Sequence, residues 1–225
     1  MSLHSRRKFL NNIWKGCIGM GMTGFLPSCT RGVVKAESDL PIFDDVDICV
    51  LGGSCTGVFA AVRAARLGAK VAVVEKQNAF GGVATNSLVN VWHSLYDVGK
   101  KQRIIAGLTQ EVIDRLNERD AVERNPNPSS AYRLNSQELK IELDELVLES
   151  GIHPHFHTLF SEPYLDGDGN LTGVIVDGKS GRGIINAKYF IDATGDGDLC
   201  YRLGLKTYTF DLLQPPTVCA HLEGL

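Results

Sequence analysis

One stretch limits the fold of this 225-residue chain more than any other: Asp47-Ile-Cys-Val-Leu-Gly-Gly-Ser-Cys-Thr-Gly57, the small-residue segment after it, and then Lys70-Val-Ala-Val-Val-Glu75. An apolar run ending in glycines, an alanine-rich stretch and a second apolar run ending in a carboxylate read as strand, tight turn, helix and strand. Gly52 lets the chain turn sharply out of the first strand, through φ values that a Cβ would forbid. Gly57, in the first helical turn, removes the side chain that would hold helix and strand apart, and Ala60, Ala61, Ala64, Ala65 and Gly68 keep the helix close to the sheet. This is the layout of a dinucleotide-binding βαβ unit. The helix start would aim unpaired N–H groups and a partial positive charge at a pyrophosphate. Glu75, about 20 residues beyond the loop, stands where a carboxylate accepts hydrogen bonds from ribose hydroxyls. Ser54 occupies the middle glycine position of the fingerprint, so a diphosphate would approach a small side chain there.

Charge narrows the partners. The formal net charge is −3, and residues 1–28 contain Arg6, Arg7, Lys8 and Lys15 with no acid, so removing those four positive charges takes the remainder to −7. An acidic body argues against a nucleic-acid partner. No uninterrupted apolar stretch approaches the roughly 18 residues of a membrane span. Within residues 1–28, Ser5-Arg6-Arg7-Lys8-Phe9-Leu10 resembles a twin-arginine export signal, followed by a mildly apolar, glycine-rich segment from Ile13 to Leu26. Leu26-Pro27-Ser28-Cys29 resembles a bacterial lipoprotein cleavage site, with Pro27 atypical and Cys29 as the residue that would carry lipid. The expectation is an exported protein, periplasmic or attached to a membrane through Cys29. The six cysteines form no C-x-x-C pair, which excludes a cysteine-ligated iron–sulfur cluster or zinc ribbon within the chain. Cys49 reads as part of a buried strand and Cys55 as a small residue filling the glycine loop.

Residues 29–45 read as a polar, acidic linker, and the βαβ unit as running from about Val46 to Glu75. Asn78-Ala-Phe-Gly-Gly-Val-Ala-Thr85 is a loop. The spacing of Ile105, Leu108, Val112 and Leu116 predicts a helix over about 103–119, within an insertion around 88–135 expected to be helical. Asn125-Pro-Asn-Pro-Ser-Ser130 is a loop. A second helix starts at Asn135 or Ser136, with Ser136 as cap, buries Leu139, Leu143, Leu146 and Val147, and stops at Gly151. Strands follow near 152–156, 158–164, 171–177 and 183–187, and Tyr189 to Ala193 reads as a further buried strand opening into Thr194-Gly-Asp-Gly-Asp198.

With these pieces placed, the chain resembles the FAD-dependent oxidoreductases of the glutathione-reductase-like Rossmann superfamily. It is most similar to the broad bacterial family that includes the flavoprotein subunit of heterodisulfide reductase. The motifs that carry the resemblance are Gly52-Gly53-Ser54-Cys55-Thr56-Gly57, Glu75-Lys76, Gly81-Gly82-x-x-Thr85, Asn135-Ser-Gln-Glu-Leu-Lys140 and Ile191-Asp-Ala-Thr-Gly-Asp-Gly-Asp198, across roughly residues 46–200. Members of the family accept a Gly-Gly-Ser loop. The resemblance implies an α/β fold, an FAD-binding Rossmann-like βαβ sheet with a three-stranded β-meander, over 46–200, and the start of a second domain at 201–225. It implies FAD rather than NAD, because a plain NAD domain would continue with alternating helices and strands where this chain has a meander. Gly52, Gly53, Ser54 and Gly57 would then hold the pyrophosphate and Glu75 the adenosine ribose, with Thr56 and Lys76 also among the cofactor-binding residues. Gly81, Gly82 and Thr85 would approach the flavin or ribityl side, and Gly195 and Asp196 would form the turn that closes over the cofactor.

Other polar clusters have plainer readings. His153, His155 and His157 alternate and would share one strand face; a metal would need a further convergent ligand, so a polar strand face is expected. Asp166-Gly-Asp-Gly-Asn170 imitates a calcium loop but has Leu171 where that loop needs glycine, so a hairpin turn is expected. Trp92, His93 and Tyr96 could line a flavin or substrate pocket, with core packing the expectation for Trp92 and a surface position for His93. Glu138, Lys140, Glu142, Asp144 and Glu145 read as a solvated helix face. Catalytic residues are not identifiable, and no metal is expected.

The function expected is an exported FAD-dependent oxidoreductase acting on a small-molecule substrate and an electron acceptor. Only Leu199 to Leu225 follow the Asp-Ala-Thr-Gly strand, too short for a substrate domain. The expectation is therefore a fragment, or a fold completed by a second polypeptide. A truncated, non-catalytic nucleotide-binding module and an NAD-dependent dehydrogenase are the alternatives.

Overall fold

The computed structural model describes residues 40–124, 131–208, 213 and 215–222. The export and lipidation motifs and the 125–130 loop lie outside the described residues. Residues 40–124 and 131–202 carry the regular structure. Strand β1 (Ile42–Leu51) leads through the glycine loop into helix α1 (Cys55–Arg66) and strand β2 (Val71–Val74). A single 3-10 turn (Gly82–Ala84), β3 (Val91–Trp92), α2 (Leu108–Glu118), β4 (Val122–Arg124), β5 (Tyr132–Leu134) and α3 (Ser136–Glu149) follow. The chain then forms β6 (His153–His155), β7 (Thr158–Leu165), β8 (Leu171–Gly178), β9 (Gly181–Asp192) and the short α4 (Asp198–Arg202).

The main sheet has the order β6-β2-β1-β9-β8-β7. β6, β2, β1 and β9 run parallel, whereas β7, β8 and β9 form an antiparallel meander. Strand alternation divides the core into two layers. Val50, Val71 and Val73 face α1 and α3, meeting Val58, Val62, Leu139, Leu143 and Leu146. Cys49, Leu51, Ala72 and Val74 face the other side, against Val174, Val176 and Ile185. Each fully buried aliphatic side chain contributes roughly 1.5–3 kcal/mol relative to exposure. A small antiparallel sheet, β3-β5-β4, stands apart from the main one.

Several elements differ from the sequence expectation. β1 begins at Ile42, inside the segment read as linker, because Ile42 pairs with Ile184 and Asp44 with Ile185 across a register shift. The insertion expected to be helical carries α2 and the three-stranded sheet. α2 starts at Leu108, since Gly107 has φ +66° and the amides of Ile104 and Ile105 bond back to the Leu95 carbonyl. Ile105 therefore lies off the buried face. The cap of α3 is Asn135, whose side chain accepts from the Gln137 and Glu138 amides, while Ser136 donates to the Ala84 carbonyl at 2.9 Å. The strands read at 183–187 and 189–193 are one continuous strand paired along its length with β1, and Tyr189 is exposed. Glu142, read as solvated, is 2% exposed.

Asp44 is the polar fastening of the β1 extension. Its Oδ2 faces His153 Nδ1 at 2.8 Å and His155 Nε2 at 3.2 Å, and its Oδ1 lies 3.5 Å from the Lys70 ammonium. His157 leaves the strand face at φ +50°. Burial opposes the charge on Asp44, but the bonds from His153, His155 and the Asp45 amide and the charge on His153 outweigh it, holding the carboxyl below its usual range. Asp192 is shifted the same way. A carboxyl depressed in the folded state contributes stability above its unfolded value, near pH 4, and that contribution is lost as the pH falls through the folded value. The melting temperature is therefore expected to fall steeply below about pH 4, and less steeply in Asp44→Asn. Parallel melting-temperature profiles from pH 7 to 3 would count against this role of Asp44.

Candidate cofactor site

At the carboxyl ends of β1, β2 and β9 lies a cleft of about 390 Å³, within the roughly 300–1,000 Å³ typical of small-molecule sites. Ligands of open α/β sheets bind at this edge. The turn after β1 forms its floor. Gly52 has φ +100°, and a Cβ there would lie 2.4 Å from the Ala193 carbonyl oxygen, so the turn rests directly on the end of β9. Ser54 caps α1: its hydroxyl accepts from the Gly57 amide at 3.3 Å and faces the Ala193 carbonyl at 3.4 Å. Its proton is thereby spent on the wall of the cleft, which is how a serine fits at a glycine position. The amides of Cys55 and Thr56, at the first two helical positions, have no carbonyl of their own helix to bond.

Glu75, directly after β2, lines the cleft and is 7% exposed. Its Oε2 accepts from the Gly53 amide and its Oε1 from the Gln77 amide, both at 2.7 Å. These two bonds fix the carboxylate and leave each oxygen a further lone pair for a ligand hydroxyl. The second glycine pair lies against the first: the Gly81 amide donates to the Gly53 carbonyl at 2.8 Å, and a Cβ on Gly82 would meet Ser54 at 3.5 Å.

Of the residues singled out from sequence, Gly52, Ser54, Glu75, Lys76, Gly82 and Gly195 line the cleft together. Gly53, Gly57 and Gly81 lie behind that surface and shape it. Thr56 and Asp196 are exposed and are not among the lining residues. Thr85 is fully buried, its hydroxyl donating to the Phe80 carbonyl at 2.6 Å, so it braces the 3-10 turn instead of reaching the cleft. Sequence reasoning missed Gln77, Asn86, Ser87, Thr158, Phe160 and Asp198 in the lining. Thr158 arrives because its amide bonds the Glu75 carbonyl at 3.1 Å, a long-range pairing without a local sequence signal. Trp92 packs edge-on against Phe59, and His93 is exposed; neither lines the cleft. Burial pushes the Cys55 thiol up to about 12, so it is not a thiolate at neutral pH.

The lining fits a dinucleotide. Gly52, Gly82 and Gly195 present backbone without side chains, Lys76 is the one cationic side chain among the lining residues, and the Glu75 carboxylate is held by two backbone amides. Parallel sheet, glycine turn, terminal carboxylate and antiparallel meander together define a Rossmann-like flavoprotein fold. The FAD dependent oxidoreductase family profile matches residues 47–225, and the chain belongs to that family, whose cofactor is FAD. It is 41% identical over 64 residues to a dihydrolipoyl dehydrogenase of Trypanosoma brucei brucei, covering 25% of this chain and 13% of that enzyme. It is 25% identical over 177 residues to a thiamine thiazole synthase of Pyrococcus horikoshii, covering 75% of this chain and 65% of that protein. The chain thus spans less than two thirds of the length of these curated relatives. Among solved structures, THI4 of Thermovibrio ammonificans shares the fold with a TM-score of 0.54 at 17% identity, over 92% of this chain and 72% of that one.

Proposed function

We propose that this chain is the FAD-holding part of an oxidoreductase. The observation that carries the reading is Glu75, fixed by two backbone amides in a cleft that Gly52, Gly82 and Gly195 also line. The Gly52–Gly57 turn and the start of α1 receive the diphosphate, and Glu75 takes the adenosine ribose. Gly82, with Asn86 and Ser87 beside it, and the Gly195 turn line the remaining length. Bound FAD supplies the redox chemistry; the residues of this chain bind it, orient it and exclude water from its diphosphate. The substrate side is a small molecule, with a separate electron acceptor. The Arg6-Arg7 motif supports export, and Cys29 supports attachment to a membrane through lipid.

Purified protein is expected to retain FAD, read by visible flavin absorbance and by mass spectrometry of the released cofactor. Glu75→Ala removes an acceptor bonded by charge-assisted hydrogen bonds and should weaken FAD about 10- to 100-fold, measured by equilibrium dialysis. Retention of NAD with no affinity for flavin would overturn the proposal.

A further inference from the structure

The cleft wall made by the turn after β9 is held by a residue that does not itself line the cleft. Asp192, the last residue of β9, uses both carboxylate oxygens. Oδ1 accepts from the Thr194 amide at 3.2 Å and from the Thr194 hydroxyl at 2.7 Å, and Oδ2 accepts from the Cys200 amide at 3.1 Å. The Thr194 hydroxyl, its one proton given to Asp192, accepts from the Asp198 amide at 3.0 Å. These four bonds close residues 192–200 on themselves. Ala193, Thr194, Gly195 and Asp198, which they fix, all line the cleft.

The turn has little rigidity of its own. Gly195 has φ +89° and Gly197 φ +70°, and glycine is the residue least committed to one conformation. Its shape must therefore come from the carboxylate at its base. A neutral amide cannot replace that carboxylate. Three donors converge on it from two directions, whereas asparagine offers one acceptor oxygen and turns its NH2 toward a donor. Burial opposes the charge on Asp192, but the Thr194 and Cys200 bonds outweigh it. Tolerating an anion this close to a diphosphate site makes sense if the geometry of the turn matters more than its charge.

We infer that Asp192 is a positioning residue for the cofactor, acting through the Thr194 hydroxyl to hold the 193–198 wall at the distance FAD requires. The inference rests on the FAD reading of the cleft. The test measures FAD dissociation constants and melting temperatures for wild type, Asp192→Asn, Thr194→Val, Thr194→Ser, the Asp192→Asn/Thr194→Val pair and the core control Leu116→Ala. Asp192→Asn and Thr194→Val should each weaken FAD by about tenfold or more. The paired variant should be no weaker than Asp192→Asn alone, because both break one linkage. Thr194→Ser, which keeps the hydroxyl, should return affinity to within about threefold of wild type. Leu116→Ala should melt lower with FAD affinity unchanged, the pattern of a role confined to folding, which Asp192→Asn should not show. If Asp192→Asn does not fold, the contrast between Thr194→Val and Thr194→Ser carries the test. Wild-type protein that binds no FAD overturns the cofactor reading and this inference together. Wild-type protein that binds FAD, with Thr194→Val equal to it, overturns the positioning role alone.

Discussion

Alanine at position 57 is expected to yield a protein that holds almost no FAD and melts well below the wild type. A Cβ there would lie 1.9 Å from the Gly52 carbonyl oxygen and 3.2 Å from the Ala193 Cβ. The first obstacle is backbone, and it cannot swing aside because the Gly52 amide is tied to the Val74 carbonyl at 2.8 Å. Helix and turn must therefore separate. Overpacking a core costs about 1–3 kcal/mol, and a clash with fixed backbone belongs at or above the upper end of that range. A displacement of about 1 Å in the Gly52–Gly57 turn should weaken FAD about 100-fold. Gly68→Ala is the contrast. Gly68 has φ +96° with nothing within 4 Å of a Cβ, so alanine there strains the backbone without moving the turn and should leave FAD binding intact. Flavin titration and thermal melting of the two variants decide the matter; full retention of FAD by Gly57→Ala would refute the packing argument.

Removal of the Arg119 guanidinium should be the most damaging change on the helical face. Arg119 Nε is paired with buried Glu142 through Oε1, and the second oxygen of Glu142 lies 3.8 Å from Arg115 with no hydrogen-bond partner. Arg119 also meets Glu138 and Glu145, and Arg115 meets Glu111 and Glu149, so both cations have other acids to turn to. Glu142 depends on these two cations. Arg119→Met leaves the buried Glu142 carboxylate with Arg115 alone, 3.8 Å away, and should lower stability measurably. Arg119→Met combined with Glu142→Met removes the buried charge and should recover most of that loss. Urea midpoints report both effects, and an Arg119→Met midpoint close to wild type would show that Arg115 alone satisfies the carboxylate.

Glu142 also illustrates where the sequence was readable and where it was misread. It lies three residues after Leu139 and four before Leu146, so helical spacing alone placed it on the buried stripe. Its charge led to the opposite reading. The βαβ unit, the apolar side of α3 and the Asp166–Asn170 hairpin were legible because each is specified by neighbours a few residues apart. Asp166 indeed accepts from the Asn170 amide at 2.8 Å, within the turn itself. What local pattern does not contain is pairing between distant segments. The start of β1 at Ile42 depends on β9, and the arrival of Thr158 beside Glu75 depends on β6 lying next to β2. Cleft residues Gly52, Ser54, Glu75, Gly82 and Gly195 were visible because each sits in a motif; Gln77, Asn86 and Phe160 carry no such mark.

The two turns that touch through Ser54 and Ala193 are separated by 139 positions along the chain. A nascent polypeptide thus emerges with its glycine loop early and without the surface on which that loop must rest. The cleft lacks one of its walls until the strand ending at Asp192 has been translated and inserted beside β1. Stable retention of FAD is accordingly expected only once that strand is in place, and a chain released before it should carry the fingerprint yet remain colourless.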